Sequence, residues 1–323
     1  MAKVSVIVPI YNVALYIEHC VRSLFEQTLD DIEYIFVNDC TPDNSMDILH
    51  TVLMEYPHRQ QQVKIINQPK NLGAAQARKD GIEVATGQYI THCDSDDWVD
   101  RDYYRAMYEK AIRDELDYVI CTSVYKFTDE DEETIKFNVP TNKKDLISAM
   151  IDGAAIVSLW ASVVKRSLYD NPDFIYPTSH MREDLAYSVQ LAYFAQVFGT
   201  IDYPYYHYRQ HNGSICADYS ESGLIKKFKQ TKANIELVES FLSSRNCYSL
   251  YKDAIHHVRL VALGLLVPLF KQSNKYWGLW LKAYPDTICW MLFSYRCHSA
   301  ISLRFIYLLI SIGLYPWISR FQK

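Results

Sequence analysis

At 323 residues, 49% of them hydrophobic, the chain can bury one large core or two ordinary ones, which excludes a disordered protein. A formal charge of −5 at pH 7 argues against a general nucleic-acid binder, yet it is unevenly spread: Arg296, Arg304, Arg320 and Lys323 follow Thr287 with no acid among them. Eight cysteines lie scattered with no CxxC pair, which excludes a zinc ribbon and fits a reduced, cytoplasmic chain.

The opening "MAKVSVIVPIYN" holds one lysine before an apolar run broken by Pro9 and has no small-residue cleavage site, so it reads as a buried strand rather than a signal peptide. Val4 to Val8 is short, apolar and β-branched, as a strand covered on both faces would be. Ile17, Cys20, Val21 and Leu24 then recur at helical spacing. "YIFVND" predicts a second strand, leading through "CTPDNS" into a helix with Leu49, Val52, Leu53 and Tyr56 on one face, and "VKII" from Val63 predicts a third. "NLGAAQARKDGIEVATG" reads as a loop entering an alanine-rich helix that stops near Gly87, and "QYITHC" as a fourth strand ending at an acidic cluster. The alternation predicts an α/β fold with a doubly wound, mostly parallel sheet.

Past Asp102 the pattern loosens. "YKFTDEDEETIKF" predicts two strands around a solvated acidic turn, and "HMREDLAYSVQLAYFA" a helix opened by Glu183 and Asp184, which together suggest a mixed second lobe. From about Ser220 the chain turns helical, with "LVALGLLVPLF" and "FIYLLISIGLYPWI" as its most apolar pieces. The expected segments are 1–100, 101–219 and 220–323.

Ligands of such sheets sit beyond the carboxyl ends of the strands. Three polar clusters occupy those ends: Pro9, Tyr11 and Asn12; Asn38, Asp39 and Asp43; and Asp94, Ser95, Asp96 and Asp97. The first turn reads "PIYNVA", so the GxGxxG dinucleotide fingerprint is absent. Crowded carboxylates raise one another's pKa and are tolerated on open surface or around a cation. The acidic stretch is therefore either a turn that caps the next helix or a site for a hard divalent ion, with Ser95 spacing Asp94 and Asp96 onto one side of an extended segment. Asp39 is a turn acid or a partner for a base N–H; Tyr11 packs or stacks on a base; Arg78 pairs with Asp80 or Glu83 or meets phosphate. Trp98 reads as packing, and Trp160 as packing or a sugar-ring contact. Taken together, these residues describe a pocket for a nucleotide diphosphate and a metal.

The segments "VSVIVPIYN", "VNDCTPDNS", "NLGAAQARKDG", "HCDSDDW", "REDLAYSV" and "YHYRQHNGSI" follow one another over the first two thirds of the chain, and in that order the sequence resembles an inverting family-2 glycosyltransferase of the GT-A fold. The resemblance implies a Rossmann-like, mostly parallel sheet, with 1–100 as the nucleotide-sugar half, 101–219 as the acceptor half and 220–323 as a helical region. It also implies that Pro9, Tyr11, Asn12, Asp39, Arg78, Asp94 and Ser95 bind the nucleotide, that Asp96 holds Mn²⁺ or Mg²⁺, and that Asp184 is the catalytic base. His207, Arg209 and His211 become loop or diphosphate contacts, and Trp160 and Glu183 acceptor contacts. Asn38, Cys40 and Lys79 depart from the family's usual Asp, Gly and Asn, while Asp39 and Arg78 keep uridine diphosphate the better expectation.

The implied partners are a nucleotide-sugar donor and a glycan or lipid-linked acceptor. Negative charge develops on the leaving diphosphate, which a metal at Asp96 would offset, and the attacking hydroxyl needs a carboxylate base, for which Asp184 stands unless it or Glu183 merely caps its helix. A silent sugar-nucleotide binder and a nucleotidyltransferase are the rival readings; the latter should carry a glycine-rich basic loop near the first strand, which is not found. Between Arg304 and Arg320 lie 15 uncharged residues, fewer than the ~20 of a spanning helix, so the basic tail predicts peripheral attachment to an anionic inner membrane face or a packed core helix.

Overall fold

The computed structural model describes residues 2–128, 131–210, 218–271, 274–293 and 301–315. The predicted strands form as β1 (Val4–Ile10), β2 (Ile32–Asn38), β3 (Val63–Asn67) and β4 (Tyr89–His92), with helices α1 (Ile17–Phe25), α2 (Ser45–Glu55) and α3 (Ala74–Val84) between them. All four strands run parallel, in the order β3-β2-β1-β4. Both faces of β1 are covered, which is why its run is apolar without alternation. On one face Phe25 of α1 packs edge-on against Tyr34 and Phe36, with centroids 5.4 and 6.1 Å away. On the other, α3 lies so close to β1 that a Cβ built on Gly81 would come within 2.4 Å of Ile7 Cγ2, so only glycine permits that approach.

The sheet then departs from simple winding. After β5 (Trp98–Val99) and α4 (Tyr103–Arg113) come β6 (Tyr118–Cys121), β7 (Ser123–Phe127), β8 (Glu132–Lys136), α5 (Lys143–Asp152) and β9 (Ser162–Lys165). β9 inserts antiparallel between β4 and β6, pairing Val164 with both Ile90 and Tyr118. With α6 (Glu183–Phe194) and β10 (Phe198–Ile201) the seven-stranded order is β10-β6-β9-β4-β1-β2-β3, so one sheet runs through both 1–100 and 101–219. A second sheet, β5-β11-β7-β8 with β11 at Tyr206–Arg209, stands at the crevice and contains the expected hairpin around the acidic turn.

The last third is helical: α7 (Glu221–Ser244), α8 (Lys252–Gly264), α9 (Trp277–Ala283), α10 (Pro285–Phe293) and α11 (Ile301–Ser311). Ser220 opens α7 by accepting the Gly223 N–H at 3.0 Å, a cap of the kind worth ~1 kcal/mol. Arg259 of α8 makes a two-pronged pair with Glu239 of α7, both contacts 2.7 Å, and reaches Asp286 of α10 at 2.8 Å. This buried, doubly paired guanidinium locks the three helices together, while α7 packs on α6 and α8 on α5. Among the described residues no helix is long and apolar enough to cross a membrane.

Candidate active site

Strand register brings the three predicted clusters to one edge. Ile10 pairs with Asn38 and Ile7 with His92, so Tyr11, Asp39 and Asp94 all emerge at the same end of the sheet. Pro9 lies in β1 opposite Val37, and Tyr11 beyond it is 46% exposed, an open ring at the mouth. Asn12, at φ +56°, donates its N–H to Thr41 Oγ1 at 2.8 Å. Cys40 also sits at φ +56°, the left-handed region that explains why glycine is the easier residue there. Asn38, another of the three departures, donates from Nδ2 to Asn67 Oδ1 at 2.9 Å.

Asp39 is buried, and its two oxygens accept the N–H groups of Leu72 at 2.6 Å and Gly73 at 2.7 Å. It thus anchors the segment that starts α3. A carboxylate offers about four lone-pair directions, so these bonds leave room for a base N–H.

The acids of the turn divide into separate tasks. Asp94 Oδ1 accepts from Arg78 Nη2 at 2.8 Å. Ser95 is buried and Asp96 partly exposed between its neighbours. Asp97 points inward, accepting the Tyr206 hydroxyl and the Arg209 backbone N–H, both at 2.7 Å; burial and the neighbouring Asp96 and Asp94 push its carboxyl well above the usual range. Asp97 therefore ties the turn to β11. Among the described residues no group of three or more His, Cys, Asp or Glu side chains is arranged to hold an ion. A Mg²⁺-type cation held by one or two carboxylates plus a diphosphate needs no such group, and Asp96 has the hard oxygen donors that suit it.

Arg78 joins the two halves of the site. It is 5% exposed, and while Nη2 holds Asp94, Nη1 donates to Glu183 Oε1 at 2.6 Å. Its predicted helix partners take no part: Asp80 accepts from Gln68 and Gln76, and Lys79, not Arg78, approaches Glu83. Asp184 follows Glu183 in the first turn of α6, and its Oδ1 is buried with no hydrogen-bond partner. Three carboxylates face one guanidinium. Burial, with repulsion from Asp94, raises Asp184 to about 6 against the pull of Arg78, and burial with Asp184 beside it raises Glu183 as well. The capping alternative for these acids does not hold: the N-cap is Arg182, at φ +60°, and no side chain caps the helix.

The remaining predicted contacts are more engaged in structure. Trp160 is 6% exposed and stacked 4.1 Å from Tyr206, a packing residue under β11 rather than an open platform. His207 bonds Asp100 at 2.7 Å with its ring stacked between Trp98 and Tyr125, 5.0 and 4.8 Å away. The Arg209 guanidinium lies over Trp98 and Tyr16, at 4.9 and 5.4 Å. His211 lies outside the described residues. Two residues were assigned no role from the sequence, although Tyr206 opens the segment "YHYRQHNGSI". Tyr206 bridges Asp97 to the second sheet, and Asn234 of α7 donates to the carbonyls of Ser179 and Met181, 2.9 and 2.8 Å, just before the Glu183–Asp184 pair.

Comparison with known proteins agrees with the fold. The sequence model of glycosyl transferase family 2 matches residues 5–171, just over half of the chain. EpsH of Bacillus subtilis (strain 168), named as a glycosyltransferase, is 34% identical over 260 residues, 78% of this chain and 72% of that one. A shorter stretch of 100 residues, 30% of this chain and 15% of the other, is 38% identical to the poly(ribitol-phosphate) beta-glucosyltransferase of Bacillus spizizenii. The crystal structure of residues 1–349 of S. aureus TarS in complex with UDP-GlcNAc superposes with a TM-score of 0.64 at 18% identity, covering 98% of this chain and 90% of that one, a likeness of fold.

Proposed function

The chain belongs to glycosyl transferase family 2, and on that premise we propose that it is an inverting enzyme that moves a sugar from a UDP-sugar to a hydroxyl of a glycan or lipid-linked acceptor in cell-surface polysaccharide synthesis. The observation that carries this reading is Arg78, buried and bonded at once to Asp94 on the donor side and Glu183 on the acceptor side, with the unpartnered Asp184 Oδ1 beside it. The UDP-GlcNAc bound by TarS supports the donor class, and the poly(ribitol-phosphate) relative supports a cell-surface acceptor.

In the proposed reaction the acceptor oxygen attacks the anomeric carbon as the C1–O bond to the diphosphate breaks, and the hydroxyl proton passes to Asp184. A carboxylate whose pKa is lifted to about 6 is still mostly ionised at pH 7 yet is a better base than an ordinary aspartate. Arg78 orients Asp94 and Glu183 and supplies the fixed positive charge near the phosphates; Tyr11 and Asp39 bound the base. A divalent cation, when bound at Asp96, would offset charge on the leaving diphosphate.

The test is a panel of nucleotide sugars with purified protein. Release of UDP with a transferred sugar, lost in chelator and restored by Mn²⁺ or Mg²⁺, supports the reading; pyrophosphate as the product would favour a nucleotidyltransferase, and binding without turnover a silent binder. For location, Tyr307, Leu309 and Ile310 of α11 are buried, as the packed-helix alternative expects, while Trp277, Phe305, Ile312 and Leu314 are exposed around α9 and α11. Together with the basic tail this favours peripheral contact with an anionic bilayer.

A further inference from the structure

The segment that leads into α6 holds a histidine that no motif singled out. A Cβ built on Gly73 would lie 2.2 Å from His180 Cε1, 2.4 Å from Nε2 and 2.6 Å from Nδ1, so the face of the imidazole lies flat over the Gly73 backbone. Gly73 is at φ +84° and donates its N–H to Asp39 Oδ2. The ring therefore stands one residue from the carboxylate assigned to the nucleobase. Its Nδ1 is buried without a partner, so the ring nitrogen open to a ligand is Nε2.

The position is held rigidly from behind. Asn234, 1% exposed on α7, donates to the carbonyls on either side of His180, those of Ser179 and Met181. A helix beyond the matched family region thus sets where this imidazole stands.

We propose that His180 is a specificity-determining contact for the uracil base of the donor. The imide edge of uracil presents acceptor, donor, acceptor. Asp39 takes the central N–H, and the imidazole Nε2–H donates to a flanking carbonyl. Cytosine has an acceptor in place of that N–H and an amino group in place of one carbonyl, so the same pair of side chains turns it away. The inference rests on the UDP-sugar reading.

The experiment measures UDP, CDP, GDP, uridine and inorganic pyrophosphate binding by calorimetry on wild type, His180→Ala and His180→Gln. Wild type should prefer UDP to CDP. His180→Ala should weaken UDP and uridine about tenfold, the equivalent of one hydrogen bond, while CDP and pyrophosphate change little. His180→Gln, whose amide falls near the Nε2 position, should recover part of the loss. The UDP-to-CDP ratio on one protein separates loss of a contact from loss of fold, since misfolding weakens every ligand. An unchanged ratio in His180→Ala, or an equal loss of pyrophosphate binding, overturns the proposal. Should wild type bind GDP in place of UDP, the donor reading fails first and the assignment falls with it.

Discussion

Replacing Asp184 by Asn should slow the enzyme and stabilise the protein at the same time. The carboxyl is raised from 3.8 to about 6 because burial disfavours its charge and Asp94 repels it. At ~1.4 kcal/mol per unit this is roughly 3 kcal/mol, and partial exposure of the side chain reduces it to ~1–2 kcal/mol. The folded state holds the proton more tightly than the unfolded state, so wild-type stability falls as pH rises from about 4 to about 6 and stays lower above that. Asn carries no such penalty. Urea melts of Asp184→Asn and wild type should nearly coincide at pH 4 and differ by ~1–2 kcal/mol in favour of the variant at pH 7.5. In the same protein UDP affinity should stay near wild type while transfer falls by a factor on the order of 10²–10⁴. Wild-type kcat/KM should rise with pH through about 6, and the residual rate of the variant should not. Transfer at the wild-type rate, or a variant less stable than wild type at pH 7.5, would refute the assignment.

Arg78→Met strips the buried Glu183 and the partly exposed Asp94 of their cation, so a loss of about 3–5 kcal/mol in thermal or urea melts and loss of UDP binding are expected. Glu183→Gln keeps an oxygen for Arg78 Nη1 and should cost less in transfer than Asp184→Asn; the reverse ranking in steady-state assays would move the base by one residue. Asp96→Ala should abolish the response to added Mn²⁺, whereas Asp97→Asn should lower stability by ~1–3 kcal/mol through a lost bond to Tyr206 or Arg209 and leave the Mn²⁺ titration midpoint in place; full activity of Asp96→Ala in excess chelator would remove the metal from the mechanism. Trp277→Ala combined with Phe305→Ser should weaken co-sedimentation with anionic vesicles, and equal pelleting of variant and wild type would argue for surface that meets no membrane.

Local chemistry in the sequence determined a good deal. An apolar β-branched run with no alternation specifies a strand buried on both faces, and Val4 to Val8 is one; apolar residues at helical spacing specified α1, α2 and α3. The ordered polar clusters at strand ends marked the crevice, because parallel strands must emerge side by side at one edge. What the sequence by itself left open is which of several identical groups does which task. Asp94, Asp96 and Asp97 are the same residue within four positions, yet Asp97 turns inward only because Tyr206 and Arg209, more than a hundred residues away, supply its donors. Arg78 had candidate partners on its own helix, and the fold chose Glu183, 105 positions distant. The antiparallel insertion of β9, the burial of Trp160 and the pressing of His180 onto Gly73 are likewise products of register between remote segments. Periodicity records which face of an element meets the core; it holds no record of which other element lies there, and hydrogen-bond partners and pKa values are properties of that meeting.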